Sequence, residues 1–141
     1  MQSVTIHQHS WRHQTTGRGP VEITQTINNA IAGLGLSIGL CTIFLEHTSA
    51  SLLLCENADP TVLTDLETHF AQFAPDSDTK YVHSAEGPDD MPAHLRTVFT
   101  QNSLTIPISG GQLRLGTWQG VFLWEHRCVG RLRQLSITAF G

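Results

Sequence analysis

Residues 39–60 have the sequence GLCTIFLEHTSASLLLCENADP, and this stretch decides the class of fold. Two apolar runs, residues 39–46 and 50–55, are typical of buried strands, and a polar turn that contains His47 separates them. Asp59 followed by Pro60 predicts the start of a helix, because an aspartate N-cap accepts a backbone N–H and proline fits the first helical position. Two strands followed at once by a helix indicate a mixed α+β fold.

The spacing of apolar residues predicts further helices and strands in the rest of the chain. Helices are expected at residues 23–35, at 59–75 and from about residue 90, where Leu95, Val98 and Phe99 should face the core. Further strands are expected at residues 4–9, 104–108, 112–115, 121–127 and 132–140. The sequence therefore predicts one domain, residues 1–141, built as a largely antiparallel β-sandwich with about three flanking helices.

Some strands carry more specific expectations. Gly110-Gly111 predicts a hairpin, and Pro107 predicts that the strand before it lies at a sheet edge. In the first strand, Val4 and Ile6 should face the core, while His7 and His9 face solvent.

The composition excludes several classes of protein. The net charge is −4 and Lys80 is the single lysine, which argues against non-specific binding to nucleic acid. No apolar run approaches the roughly 20 residues of a membrane helix, and the N-terminal residues do not resemble a signal peptide. We therefore expect a cytoplasmic protein without a membrane partner. The three cysteines, expected as buried thiols, form no C-x-x-C motif: Cys41, Cys55 and Cys128.

Eight histidines are many for a chain of 141 residues, and they suggest chemistry. His47 stands beside Thr48 and Ser49 in a turn whose hydroxyl and N–H groups could hold an anion, although the same hydroxyls could simply satisfy the turn's own backbone. Asn57 lies just before a helix N-terminus, a position that favours phosphate.

Residues 83–94 form a second candidate site. His83 and His94 flank a turn that carries three acids, so both rings could face one ion. His94 lies in the first turn of its predicted helix, where the helix dipole favours the neutral imidazole that a metal requires. The alternative is a surface loop whose acids cap the helix.

The stretch 115–120, LGTWQG, indicates a tight loop that needs small residues. On the strand that follows, Glu125 and Arg127 share one face. They could form a structural ion pair, or they could place an acid beside a phosphate clamp.

Residues 47–50, 56–60, 83–94 and 115–120, in that order, resemble the motifs of the YjbQ-like family over nearly the whole chain. The resemblance implies a homotrimer with a sandwich-like α+β fold and a histidine-bound metal near the subunit boundaries. It also implies a weak, secondary thiamine-phosphate synthase activity with an unsettled physiological role. The chain departs from the family at His126-Arg127.

Together, motifs and resemblance predict a metal-binding enzyme with a small phosphorylated substrate. The expected ligands of a divalent ion, zinc or else magnesium with a diphosphate substrate, are His47, His83 and His94. Thr48, Ser49, Asn57 and Arg127 are expected to contact phosphate, and Trp118 to stack on a heteroaromatic ring. Glu125 or Glu86 is expected to act as general base or to orient a ligand.

Two alternatives remain open. Three imidazoles suit zinc, whereas departure of pyrophosphate usually recruits magnesium, so a metal-dependent hydrolase fits the same residues. The other alternative is a non-catalytic trimer that binds a metal ion or a small phosphorylated ligand.

Overall fold

The computed structural model describes residues 3–141; Met1 and Gln2, which the predicted domain includes, lie outside the described residues. The described chain contains three helices: α1 (Thr24–Leu34), α2 (Pro60–Phe73) and α3 (Asp90–Val98). Its strands are β1 (Ile6–Gln14), β2 (Gly19–Glu22), β3 (Ile38–Leu45), β4 (Ala50–Glu56), β5 (Ser103–Ser109), β6 (Gln112–Leu113), β7 (Gln119–Glu125) and β8 (Leu132–Phe140).

The strands form two sheets in which every pairing is antiparallel. One sheet has the order β1-β8-β3-β5-β6, and the other has the order β2-β7-β4. Residues of both sheets and of α1 share one buried apolar cluster, which includes Ile31, Ile43, Leu52, Leu123 and Ile137. The predicted α+β fold with largely antiparallel sheets and three helices is confirmed.

Two local sequence signals predicted their elements correctly, and a third did not. The Asp59 side chain accepts a hydrogen bond from the Thr61 N–H at 3.0 Å and caps α2. Gly110 and Gly111 have φ angles of 59° and 78°, which a two-residue hairpin turn requires. The edge position expected from Pro107 is wrong, because β6 pairs with the end of β5 and is itself the edge strand.

The buried face of β1 was predicted wrongly. Val4 and Ile6 are 69% and 70% exposed, while His7 and Trp11 are half-buried. In this strand the half-buried positions belong to His7, Trp11 and His13, so the short alternation of residues 4–9 did not identify the inner face.

The buried face of α3 also differs from the prediction. Val98 is 78% exposed and Phe99 is 65% exposed. Asp90 and Arg96 are buried instead, because both side chains have charged partners inside the fold.

Two further expectations need correction. The sequence predicts no strand at residues 19–22, but they form β2 and pair with β7. Cys41 is buried, and burial raises its pKa to about 11, but Cys55 is half-buried and Cys128 is exposed beyond the end of β7. Among residues 3–141, no helix has the length and apolar character needed to cross a membrane.

Candidate metal centre

Three potential metal ligands meet at the start of α3. Asp90, the first residue of the helix, is buried, and its Oδ2 lies 2.8 Å from Nε2 of His83. His94 lies one helical turn after Asp90, and its Nε2 is 3.2 Å from the same oxygen. All three ligand atoms lie within 4.8 Å of one another.

This set of donors suits a divalent ion. Two imidazole nitrogens and one carboxylate oxygen are a common ligand set for zinc and for other transition metals, and they leave positions open for water or substrate. Burial acts to raise the pKa of Asp90, but the hydrogen bond from His83 and the positive charges of His94 and Arg127 lower it overall. Asp90 is therefore ionised at neutral pH, as a metal ligand must be.

Arg127 holds the loop that carries these ligands. Its Nη1 donates to Oδ1 of Asp90 at 2.6 Å, its Nε donates to Asp89 at 3.1 Å, and its Nη2 donates to the Glu86 carbonyl at 3.0 Å. Asp89 also accepts from the Cys128 N–H at 2.8 Å. The structure thus places Arg127, expected at a phosphate, in contact with acids, while the exposed Glu86 contributes a backbone carbonyl.

His47 lies outside this group of ligand atoms. Its Nε2 accepts a hydrogen bond from the Gln134 N–H at 2.7 Å. Burial and the charge of Arg133 lower the pKa of His47. His47 nevertheless lines a cavity of 470 Å³ together with Thr48 and His94, so it shares space with one of the candidate ligands.

A second cavity borders His83. It has a volume of 510 Å³, and its wall includes His83, Ser77, Thr79 and Ser84. One candidate ligand thus lines each of two cavities, His94 the first and His83 the second, and both cavities are within the size range of small-molecule sites.

Glu125 is buried in an ion pair with Arg133. Its carboxylate also accepts from Thr15 Oγ1 at 2.6 Å and from the backbone N–H groups of His126 and Arg127 at 3.1 and 3.2 Å. Arg133 in turn donates to Ser49 Oγ at 3.0 Å. Glu125 and Ser49, expected as base and phosphate contact, thus take part in an internal polar network.

A second buried network attaches α3 to β7. Arg96 Nε donates to Nδ1 of His126 at 3.0 Å, and its Nη2 donates to Glu67 at 2.6 Å. Nδ1 is therefore the unprotonated nitrogen of a neutral ring, and Nε2–H donates to Ser51 at 2.8 Å. The other oxygen of Glu67 accepts from the indole N–H of Trp124 at 2.7 Å, so α2 belongs to the same network.

Asn57 and Trp118 lie far from the candidate centre within one chain. The β4–β7 register pairs Ala50 with Glu125 at one end and Glu56 with Gln119 at the other. Because a strand rises roughly 3.4 Å per residue, the two ends are about 20 Å apart. Asn57 donates to Glu22 at 3.1 Å, and the side chain of Trp118 is exposed.

The model of the family described as "UPF0047 protein YjbQ-like" matches residues 8–141. The chain belongs to this family.

Relatives from distant bacteria support the assignment. A UPF0047 protein of Synechocystis sp. is 50% identical over 127 residues, which cover 90% of this chain and 86% of that protein. The UPF0047 protein YjbQ of Salmonella typhimurium is 46% identical over 125 residues, covering 88% of this chain and 90% of that protein.

Two solved structures have the same fold. A conserved hypothetical protein from Thermus thermophilus superposes with a TM-score of 0.82 at 35% identity, covering 92% of this chain and 97% of that one. A YbjQ-like protein of unknown function from Sulfolobus solfataricus gives a TM-score of 0.88 at 24% identity and covers 99% of both chains, a likeness that concerns the fold alone.

In this UPF0047 protein, sequence reasoning missed Asp90 as a potential ligand. The predicted third ligand is His47, and the sequence places Asp90 among the acids of the turn. The available signal was the spacing of Asp90 and His94, because residues four apart share one face of a helix.

Proposed function

We propose that this chain is a metal-dependent enzyme that acts on a small phosphorylated substrate, with a divalent ion held by His83, Asp90 and His94. The observation that carries the proposal is the convergence of the three ligand atoms within 4.8 Å. Zinc is the proposed ion, since two imidazoles dominate the ligand set. The carboxylate of Asp90 also makes the set compatible with harder ions such as magnesium.

The charged side chains around the centre define the role that a bound ion would have. Arg127, Arg96 and Arg133 are buried, and each is paired with an acid of the fold. A bound divalent ion would supply positive charge to a phosphate or diphosphate oxygen. Hydroxyl groups on the cavity walls, such as those of Thr48 and Ser84, would add hydrogen bonds to the same ligand.

For the reaction, we propose the transfer that the family resemblance implies. In thiamine-phosphate synthesis, the nitrogen of a thiazole phosphate attacks the methylene carbon of hydroxymethylpyrimidine diphosphate, and pyrophosphate leaves. The two cavities support a reaction between two small molecules, since His94 lines one and His83 lines the other. We place this activity in the cytoplasm, in keeping with three free thiols.

A metal-dependent hydrolase is the second candidate. It is favoured by the small number of protein ligands, because three ligands leave a position at which the ion could activate water. Release of inorganic phosphate from phosphate esters, without a second organic substrate, would distinguish hydrolysis from transfer.

We further propose that the chain works as a homotrimer. The separation of Trp118 and Asn57 from the candidate centre supports this proposal, since a neighbouring copy could bring these residues to the site. Sedimentation equilibrium should give a mass of about three chains at micromolar concentration, where obligate oligomers stay assembled. A mass equal to one chain would refute the trimer.

Zinc binding tests the proposed function directly. Metal analysis of the purified protein should find about one ion per chain, and His83→Ala, Asp90→Asn and His94→Ala should each weaken the zinc affinity at least about 100-fold. His69→Ala is the matched control, because His69 is an exposed residue of α2 outside the ligand group. Wild-type protein without zinc affinity would refute the metal centre. If the protein binds zinc but shows neither synthase nor hydrolase turnover, the result would support the alternative of a non-catalytic binding protein.

A further inference from the structure

The ring of His47 is held in one protonation state by the fold. A backbone N–H can only donate, so the 2.7 Å bond from Gln134 requires an unprotonated Nε2. Burial and the charge of Arg133 favour the neutral ring by lowering its pKa. In a neutral ring with a bare Nε2, the proton resides on Nδ1.

The Nδ1 atom of His47 is a free hydrogen-bond donor. It has no partner among residues 3–141, and it is not one of the buried, unpartnered side-chain nitrogens of that part of the chain, which are Trp11 Nε1 and Arg96 Nη1. Nδ1 therefore reaches solvent. His47 is one of the residues that line the cavity shared with His94 and Thr48.

Ligation of a metal by His47 would disturb the fold. Nδ1 could bind an ion only after its proton had moved to Nε2, and that proton would face the N–H of Gln134. Ligation through Nε2 would remove the acceptor of that N–H. Both routes would leave the Gln134 N–H, which lies in a central strand of the larger sheet, without its acceptor.

We propose that His47 is not a metal ligand but a neutral donor that binds an anionic phosphate or diphosphate oxygen of the ligand through Nδ1–H. This inference rests on the proposed function, because it places the anion in the cavity next to His94. His47 then recognises the ligand, while Asp90 takes the place in the metal centre that the sequence assigned to His47.

Two substitutions separate the two ring nitrogens of His47. His47→Gln places an amide oxygen near the position of Nε2, so it keeps an acceptor for the Gln134 N–H and removes the Nδ1 donor. His47→Asn places an amide N–H near Nδ1 and removes that acceptor. His9→Gln, on the exposed part of β1, is the matched control.

Calorimetry measures zinc binding to the metal-free protein and then binding of inorganic pyrophosphate to the zinc-loaded protein. We expect zinc affinities within about threefold of wild type in all variants, since no ligand is lost. Pyrophosphate should bind about 10- to 100-fold more weakly to His47→Gln, because a hydrogen bond to a charged group is lost. His47→Asn should keep most of the affinity while melting at a lower temperature.

Two results would overturn the inference. A loss of zinc affinity of tenfold or more in His47→Gln, without a loss in His9→Gln, would make His47 a ligand. Equal pyrophosphate affinities of wild type and His47→Gln would remove its role as donor. If the wild type bound no zinc, the proposed function would fail by itself, and pyrophosphate binding to metal-free wild type and His47→Gln would still decide the role of His47.

Discussion

Arg127 donates to one oxygen of Asp90 at 2.6 Å, while the other oxygen of Asp90 faces both His83 and His94. The guanidinium therefore fixes which oxygen is available to an ion and how it is oriented. Contacts of this kind raise the affinity of a metal site without adding a ligand.

Replacing Arg127 by alanine should weaken zinc binding about 10- to 100-fold, because Asp90 loses the group that orients it. Calorimetric titration of the metal-free protein measures the effect. Arg114→Ala is the control, since Arg114 is exposed and outside the ligand group. Equal zinc affinities of Arg127→Ala and wild type would show that Asp90 needs no such support.

Glu125→Gln should lower the free energy of unfolding by about 3–5 kcal/mol, because it leaves the buried charge of Arg133 without its partner. The double variant Glu125→Gln/Arg133→Met should recover part of this loss, since no buried charge remains. Urea unfolding measures both values. A Glu125→Gln variant as stable as wild type but without activity would instead support the expected role of Glu125 as general base.

His126 should make stability depend on pH. Burial, with the charges of Arg96, Arg18 and Arg133, lowers its pKa to about 2 in the folded chain. In the unfolded chain the pKa is about 6.5, so between these values the unfolded state holds one more proton. This titration therefore leaves the free energy of unfolding unchanged above about pH 6.5. Below that pH, the free energy of unfolding falls toward acid by up to about 1.4 kcal/mol per pH unit.

The variant His126→Asn tests this dependence, because its amide oxygen can accept from Arg96 but cannot be protonated. Unfolding free energies measured between pH 4 and 7 should fall less steeply in the variant than in wild type. Parallel pH profiles would contradict the burial of a neutral imidazole at this position.

Trp118→Ala should leave zinc affinity within about twofold of wild type and change stability by less than about 0.5 kcal/mol, as surface substitutions usually do. The side chain is 62% exposed and lies at the far end of β7 from the candidate centre. Catalytic turnover gives the second readout. Lost turnover with intact zinc binding would mean that Trp118 acts on the centre of another copy.

Much of the fold could be predicted because its signals are local. Asp59 and Pro60 start α2 through contacts within a few residues, and Gly110-Gly111 forms its turn without help from the rest of the chain. The two central histidines, His83 and His94, were also predictable together, since one short loop joins them.

The remaining features depend on partners distant in sequence. Arg96 is buried because Glu67 and His126 lie beside it, each about 30 residues away along the chain. Apolar periodicity could therefore not identify the inner face of α3. The internal contact of His47 has the same origin, since its hydrogen bond with Gln134 cannot be read from spacing.

The position of β8 between β1 and β3 has a consequence for synthesis of the protein in the cell. During translation, β1 leaves the ribosome long before residues 132–140 exist, and it has no sheet partner until they do. The larger sheet therefore closes late, and the edges of β1 and β3 stay open to wrong pairings in the meantime. A nascent chain halted before residue 132 should thus be recognised by chaperones as unfinished, whatever the stability of its helices.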